Sequence, residues 1–294
     1  MNPWRHDVIV RLLYGFFGLL GILPQRKVDG LCDALGRLWY RLDARHRQVA
    51  LRNLDQAFGG ETTPGQREQL AKKAFANLMR IPFEIGRSMK WTEEDCLRYF
   101  HVEGKERIQA ALQKGRGLLV LTGHMGNWEL LPPMVLMLGT PATTTYRPLK
   151  FAPADTFFLQ LRSRFGSRMV SKKQAMRKIL RALQKEECVC MLFDQTSRRA
   201  TGEFVDFFGR KAWTNTGLAL LALKTEAPVL PAFILRDGDR FRVEIGNEVP
   251  LVKSGSKARD VLENTRQYNK ALEQIIRRYP EQWFWVHNRW KERT

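Results

Sequence analysis

Short runs of branched apolar residues alternate along the middle of the chain with segments whose apolar positions recur every three to four residues. These are the periods of buried strands and amphipathic helices. Residues 118–122, Leu-Leu-Val-Leu-Thr, follow Gly115-Arg116-Gly117 and predict a buried strand, and residues 142–146 read as another. Residues 172–187 predict a basic amphipathic helix with Met176, Ile179, Leu180 and Leu183 on one face, followed by a buried strand over 188–193 that ends at Asp194. Residues 215–226 predict a helix capped by Asn215, and 229–236 with 240–245 predict a hairpin around Asp237-Gly238-Asp239. A long helix with a polar surface is expected over 256–278, stopped by Pro280. The pattern is that of an α/β chain with some antiparallel pairing.

Candidate chemistry lies at the end of the first strand, where Gly123-His124-Met125-Gly126-Asn127-Trp128-Glu129 follows the apolar run. Reactive groups commonly occupy such strand ends. A neutral imidazole accepts a proton from an alcohol, and a nearby carboxylate holds the ring and stabilises the imidazolium that forms. His124 is therefore the expected base and Glu129 its expected partner. Five residues amount to about 500° of helical rotation, which puts the two side chains on different faces, so a turn is needed between them. Gly126 suits that turn and Asn127 is a good cap, while Pro132 and Pro133 leave open where a following helix begins.

This dyad, together with Tyr146-Arg147-Pro148, Leu161-Arg162-Ser163-Arg164-Phe165-Gly166, Phe193-Asp194-Gln195, Phe207-Phe208-Gly209 and Trp285-Val286-His287-Asn288-Arg289-Trp290-Lys291, resembles the bacterial lipid A late acyltransferases, the lauroyl/myristoyl transferase family. The blocks stand in the family's order over essentially the full length. The resemblance implies a glycerolipid-acyltransferase-like mixed β-sheet flanked by helices, with an N-terminal membrane-anchoring helix. It implies that residues 1–26 form the anchor and 27–294 the catalytic domain, on the cytoplasmic face of the inner membrane. An arginine of the R-x-R block matters in the family, with Arg162 the closest counterpart by spacing and Arg164 second. The block around Asp194 suggests a carboxylate that fixes an arginine or the acceptor sugar. Arg147, Arg289 and Asn127 complete the candidates for binding substrate; guanidinium groups suit phosphates because their planar donors bind bidentately.

The charge balance bears on the partner. Against 30 Asp and Glu stand 49 Lys and Arg, a formal net charge of +19, which favours an anionic partner. No zinc module, recognition helix or aromatic strand platform points to nucleic acid. An anionic glycolipid at a membrane and an acidic acyl carrier protein fit better. Residues 8–24 are the one plausible membrane segment; it is short for a span and carries Arg11, so a spanning and an interfacial placement are both open. Cys32, Cys96, Cys188 and Cys190 form no disulfide framework and suit a reducing cytoplasm. The five histidines are scattered and no CxxC or HExxH spacing occurs, so no metal site is expected.

The expected reaction needs no cofactor: the acyl donor, an acyl-carrier-protein thioester, is a co-substrate. His124, oriented by Glu129, deprotonates a hydroxyl on a lipid A precursor, and the oxygen attacks the thioester. Three functions compete with this one. They are acylation of another glycolipid, such as a phosphoinositide mannoside, from acyl-coenzyme A; glycerolipid acylation; and non-catalytic binding to a membrane surface or nucleic acid.

Overall fold

The computed structural model describes residues 2–131, 136, 139–171 and 175–291. Its first hundred residues form five helices, α1 (Pro3–Gly21), α2 (Gln25–Leu42), α3 (Ala44–Phe58), α4 (Pro64–Ser88) and α5 (Glu93–Tyr99). Local chemistry sets their starts. Asn2 accepts from Trp4 N and Asp43 from His46 N, while Thr63 with Gln66 and Thr92 with Asp95 form reciprocal capping boxes. None of the four helices after α1 is predicted above, although the two boxes are readable signals for α4 and α5.

The rest alternates: β1 (Phe100–Glu103), α6 (Lys105–Leu112), β2 (Leu118–Thr122), β3 (Ala142–Tyr146), α7 (Ala152–Arg162), β4 (Arg168–Ser171), α8 (Ala175–Gln184) and β5 (Cys188–Leu192). A hairpin of β6 (Gly202–Phe207) and β7 (Arg210–Asn215) follows, then α9 (Gly217–Thr225), β8 (Val229–Asp237), β9 (Arg240–Ile245) and α10 (Lys257–Arg278). Among the described residues, seven strands form one sheet in the order β1-β9-β8-β2-β5-β3-β4, with β6 and β7 as a separate ribbon. All neighbours in the large sheet run parallel except β8 and β9, which are the expected hairpin.

Parallel strands are covered on both faces, and β2 shows it: Leu118 and Val120 pack into one core, Leu119 and Leu121 into another. Cys188 and Cys190 share the first of these faces and are buried free thiols, pushed up by burial. A third core joins Leu54, Phe75 and Leu78 of the helical part to Phe233, Ile276, Trp283 and Trp285.

Two expected helix starts fall outside the described residues, and one expected cap differs. The helix after β4 is described from Ala175, and residues 172–174 lie outside the described residues, as do Pro132 and Pro133. Asn215 ends β7 instead of capping α9, which starts from Thr216; its side chain still accepts from Gly217 N at 2.8 Å.

Among the described residues no single helix is long and apolar enough to cross a membrane, and α1 with α2 pass only as a pair bent by 108°. One face of α1 packs along α4 and α7. Phe17 stacks on Phe157 at 4.9 Å, and Tyr14 meets the same ring edge-on at 4.9 Å. At its end α1 crosses α4 so closely that a Cβ on Gly86 would stand 1.9 Å from the Phe17 carbonyl oxygen. The other face leaves Trp4, Leu12, Phe16 and Leu19 exposed.

Candidate active site

The register of the two central strands builds the site. Thr122 of β2 pairs with Leu192 of β5, and Phe193 N donates to Thr122 O at 2.9 Å. Two residues beyond these ends, His124 and Asp194 therefore stand side by side at the carboxyl edge of the sheet. The His124 Nδ1 to Asp194 Oδ1 distance is 2.7 Å, and His124 N donates to Asp194 Oδ2 at 2.9 Å. Trp283 Nε1 donates to the same Oδ2 at 2.9 Å, so three donors fix the carboxylate. Burial works to raise the Asp194 carboxyl; the His124 charge, the His124 hydrogen bonds and the Trp283 indole outweigh it and lower the group to about 2.

An ionised Asp194 takes the Nδ1 proton of His124 as its hydrogen-bond donor, which leaves Nε2 as the basic nitrogen. Nε2 lies on the open side, with the exposed Gln195 carboxamide nitrogen 3.4 Å away. The ring is held between Trp128, edge-on at 4.9 Å, and Phe284 at 5.7 Å. The arrangement is a histidine with one nitrogen locked by Asp194 and the other on the open side beside Gln195, where it can accept a proton.

The carboxylate that orients His124 is thus Asp194, and the expected pairing of His124 with Glu129 is corrected. The expected turn is present: Gly126 has φ +52°, and a Cβ there would lie 2.4 Å from Ile234 O. The chain then enters a short 3-10 turn over Trp128–Leu130, which directs Glu129 to Arg162. Arg162 Nε donates to Glu129 Oε2 and one Nη to Oε1, both at 2.7 Å. This side-on contact leaves the other Nη outside the pair. Glu129 is 9% exposed and Arg162 19%, so the pair is largely desolvated. Trp128 Nε1 also donates to Glu129 at 3.1 Å.

Asn127, expected to touch substrate, is fully buried; it accepts from Glu129 N at 3.1 Å and donates to Glu84 at 2.8 Å. Its capping role holds and its substrate-binding role does not. Arg289 is corrected likewise. Its guanidinium is buried, donating to Trp213 O and Thr214 Oγ1 over the Phe207 ring, and it ties the C-terminal segment to the β6–β7 ribbon. Arg164 spends its donors on the Ser88 and Trp91 carbonyls at the end of α4, while Arg147 is exposed just past β3. Gln195 and Phe284 carry no role in the sequence reading; Gln195 follows Asp194 directly, and Phe284 is visible only through the fold. Among the described residues, no cluster of His, Cys, Asp or Glu could hold a metal ion.

A family model described as bacterial lipid A biosynthesis acyltransferase matches residues 5–292. The lipid A biosynthesis acyltransferase of Haemophilus influenzae is 27% identical over 275 residues, which cover 92% of this chain and 84% of the relative. The lipid A biosynthesis palmitoleoyltransferase of Escherichia coli is 28% identical over 282 residues, 94% of this chain and 90% of the relative. A phosphatidylinositol mannoside acyltransferase of Mycolicibacterium smegmatis is 24% identical over 189 residues, 63% of this chain and 60% of the relative. With most of α1, the parallel-strand site and the C-terminal aromatic segment inside the matched span, the chain belongs to the bacterial lipid A biosynthesis acyltransferase family.

Proposed function

We propose that the protein transfers a fatty acyl chain from an acyl-carrier-protein thioester to a hydroxyl of a lipid A precursor at the cytoplasmic face of the inner membrane. The observation that carries the reading is the His124–Asp194 pair with Nε2 turned to the open side, set in a chain of this family. His124 Nε2 takes the proton of the acceptor hydroxyl, and the oxygen adds to the thioester carbonyl. The tetrahedral intermediate collapses with loss of the carrier thiolate, which takes the proton back from the imidazolium. The ester forms, the thioester breaks, and neither a covalent acyl-enzyme nor a cofactor is involved. Asp194 stabilises the imidazolium while it lasts. Arg162, held by Glu129, binds acceptor or donor oxygen through its remaining Nη.

The net charge of +19 suits both an acidic carrier protein and anionic lipid. The exposed Trp4, Leu12, Phe16 and Leu19 face of α1, flanked by Arg5 and Arg11, supports an interfacial placement over a span. The lipid A relatives align over nearly the whole chain and the mannoside relative over 63% of it, which favours a lipid A acceptor.

The test is mass spectrometry of reactions with a lipid A precursor and a panel of acyl-carrier-protein thioesters. Wild type should add one acyl mass, and folded His124→Ala should lose turnover by about 1,000-fold. Transfer only from acyl-coenzyme A, or only to a different glycolipid, would overturn the donor or acceptor assignment.

A further inference from the structure

The loop that carries His124 and Glu129 pairs with the C-terminal segment through the isolated Met125–Trp283 bridge, and its backbone is also held from behind by a buried polar chain. Glu84 on α4 and Arg236 on β8 form a two-pronged ion pair, with side chains 7% and 10% exposed. Glu84 Oε2 also accepts from Asn127 Nδ2 at 2.8 Å, and Arg236 Nη1 donates to Asn77 Oδ1 at 2.6 Å. Arg236 N donates to Gln282 Oε1 at 2.7 Å, and the Gln282 carbonyl accepts from Gly126 N at 2.9 Å. One route therefore runs from the ion pair to the loop, through Asn127 to the backbone of Glu129 and so to Arg162. A second support leaves the backbone of Arg236, not its side chain, and passes through Gln282 to Gly126, two residues after His124.

Burying two charges costs about as much as their attraction returns, and apolar residues of similar volume often hold a fold as well or better. Stability alone is then a poor reason for this pair. We propose that Glu84 and Arg236 are positioning residues for the transfer reaction, and that they set the placement of the Gly126–Glu129 turn and, through it, of His124 and the Glu129–Arg162 pair. Neither touches the open side of the site, so they act on geometry and not on substrate affinity. A displacement near 1 Å at a reacting centre costs about 100-fold in rate.

The inference rests on the acyl-transfer reading, and wild-type turnover serves as the reference: absence of any transfer by wild type would count against that reading, not against the network. The deciding variant is Glu84→Met with Arg236→Met, which removes both charges and keeps the volume. Its thermal midpoint should stay near or above that of wild type while kcat falls by about 100-fold with KM for the donor unchanged. Asn127→Ser, which cuts the side-chain link and leaves the ion pair intact, should lower kcat in the same direction and decides the matter if the double variant does not fold. Wild-type kcat in either folded variant would overturn the proposal, as would a kcat that recovers in step with the thermal midpoint when stabilising substitutions are added elsewhere.

Discussion

Asp194 holds the Nδ1 side of His124 at 2.7 Å and leaves Nε2 towards the open side. Replacing it by Asn keeps the shape, removes the charge and frees the ring to take the wrong tautomer, so Asp194→Asn should lower kcat by about 1,000-fold or more with a smaller change in KM. Steady-state kinetics on the folded variant check this. The same carboxyl sets an acid limit. Its folded value of about 2 lies below its ordinary 3.8, so the unfolded chain binds the proton more tightly between those values. Its stabilisation is complete above about pH 4 and is lost as pH falls through about 2; acid denaturation of Asp194→Asn should be correspondingly shallower. Glu129 and Arg162 should act as one unit. Glu129→Gln and Arg162→Ala should each reduce turnover, and the double variant should be little worse than the poorer single one, a coupling read by a double-mutant cycle. His124, Asp194, Glu129 and Arg162 were all legible as candidates in the sequence. Their pairing was not, because it depends on which residues of β2 and β5 lie opposite each other, a contact across 70 positions.

At the level of elements, the strands with strong apolar runs were readable and the amphipathic helices of the first third were not. β2, β5 and the β8–β9 hairpin are short, branched and bounded by turn residues. In α3 and α4 the buried face includes Asn53, Asn77, Glu84 and Ser88, polar residues that blur a helical apolar stripe and make sense only once their partners are placed. Close crossing of α1 and α4 gives a test. In an open helix, Gly→Ala adds about 1 kcal/mol of stability. Gly15 has nothing within 4 Å of a new Cβ and should show that gain, whereas Gly86→Ala drives a Cβ into backbone at 1.9 Å and should lose about 2 kcal/mol. Thermal unfolding of the two variants side by side separates packing from propensity.

For the molecule as a whole, the resemblance carried by six short blocks extended correctly to the full chain, and the mixed sheet flanked by helices followed. The N-terminal segment did not behave as an independent appendage, since an apolar run in sequence says nothing of which neighbours cover it. Half of α1 is covered by α4 and α7, and the uncovered half is the face proposed to meet lipid. Leu12→Ser, Phe16→Ser and Leu19→Ser together should weaken co-sedimentation with phosphatidylglycerol vesicles by at least about 10-fold. Retained binding would place the lipid contact elsewhere.

The way α1 is clasped also bears on how the protein can be handled. Removing the first helix is the obvious route to a detergent-free preparation. Here that cut would uncover Ile85, Phe157 and Leu161, which Leu13, Tyr14 and Phe17 now cover. A trimmed enzyme would exchange one greasy surface for another, beside the helix that carries Arg162.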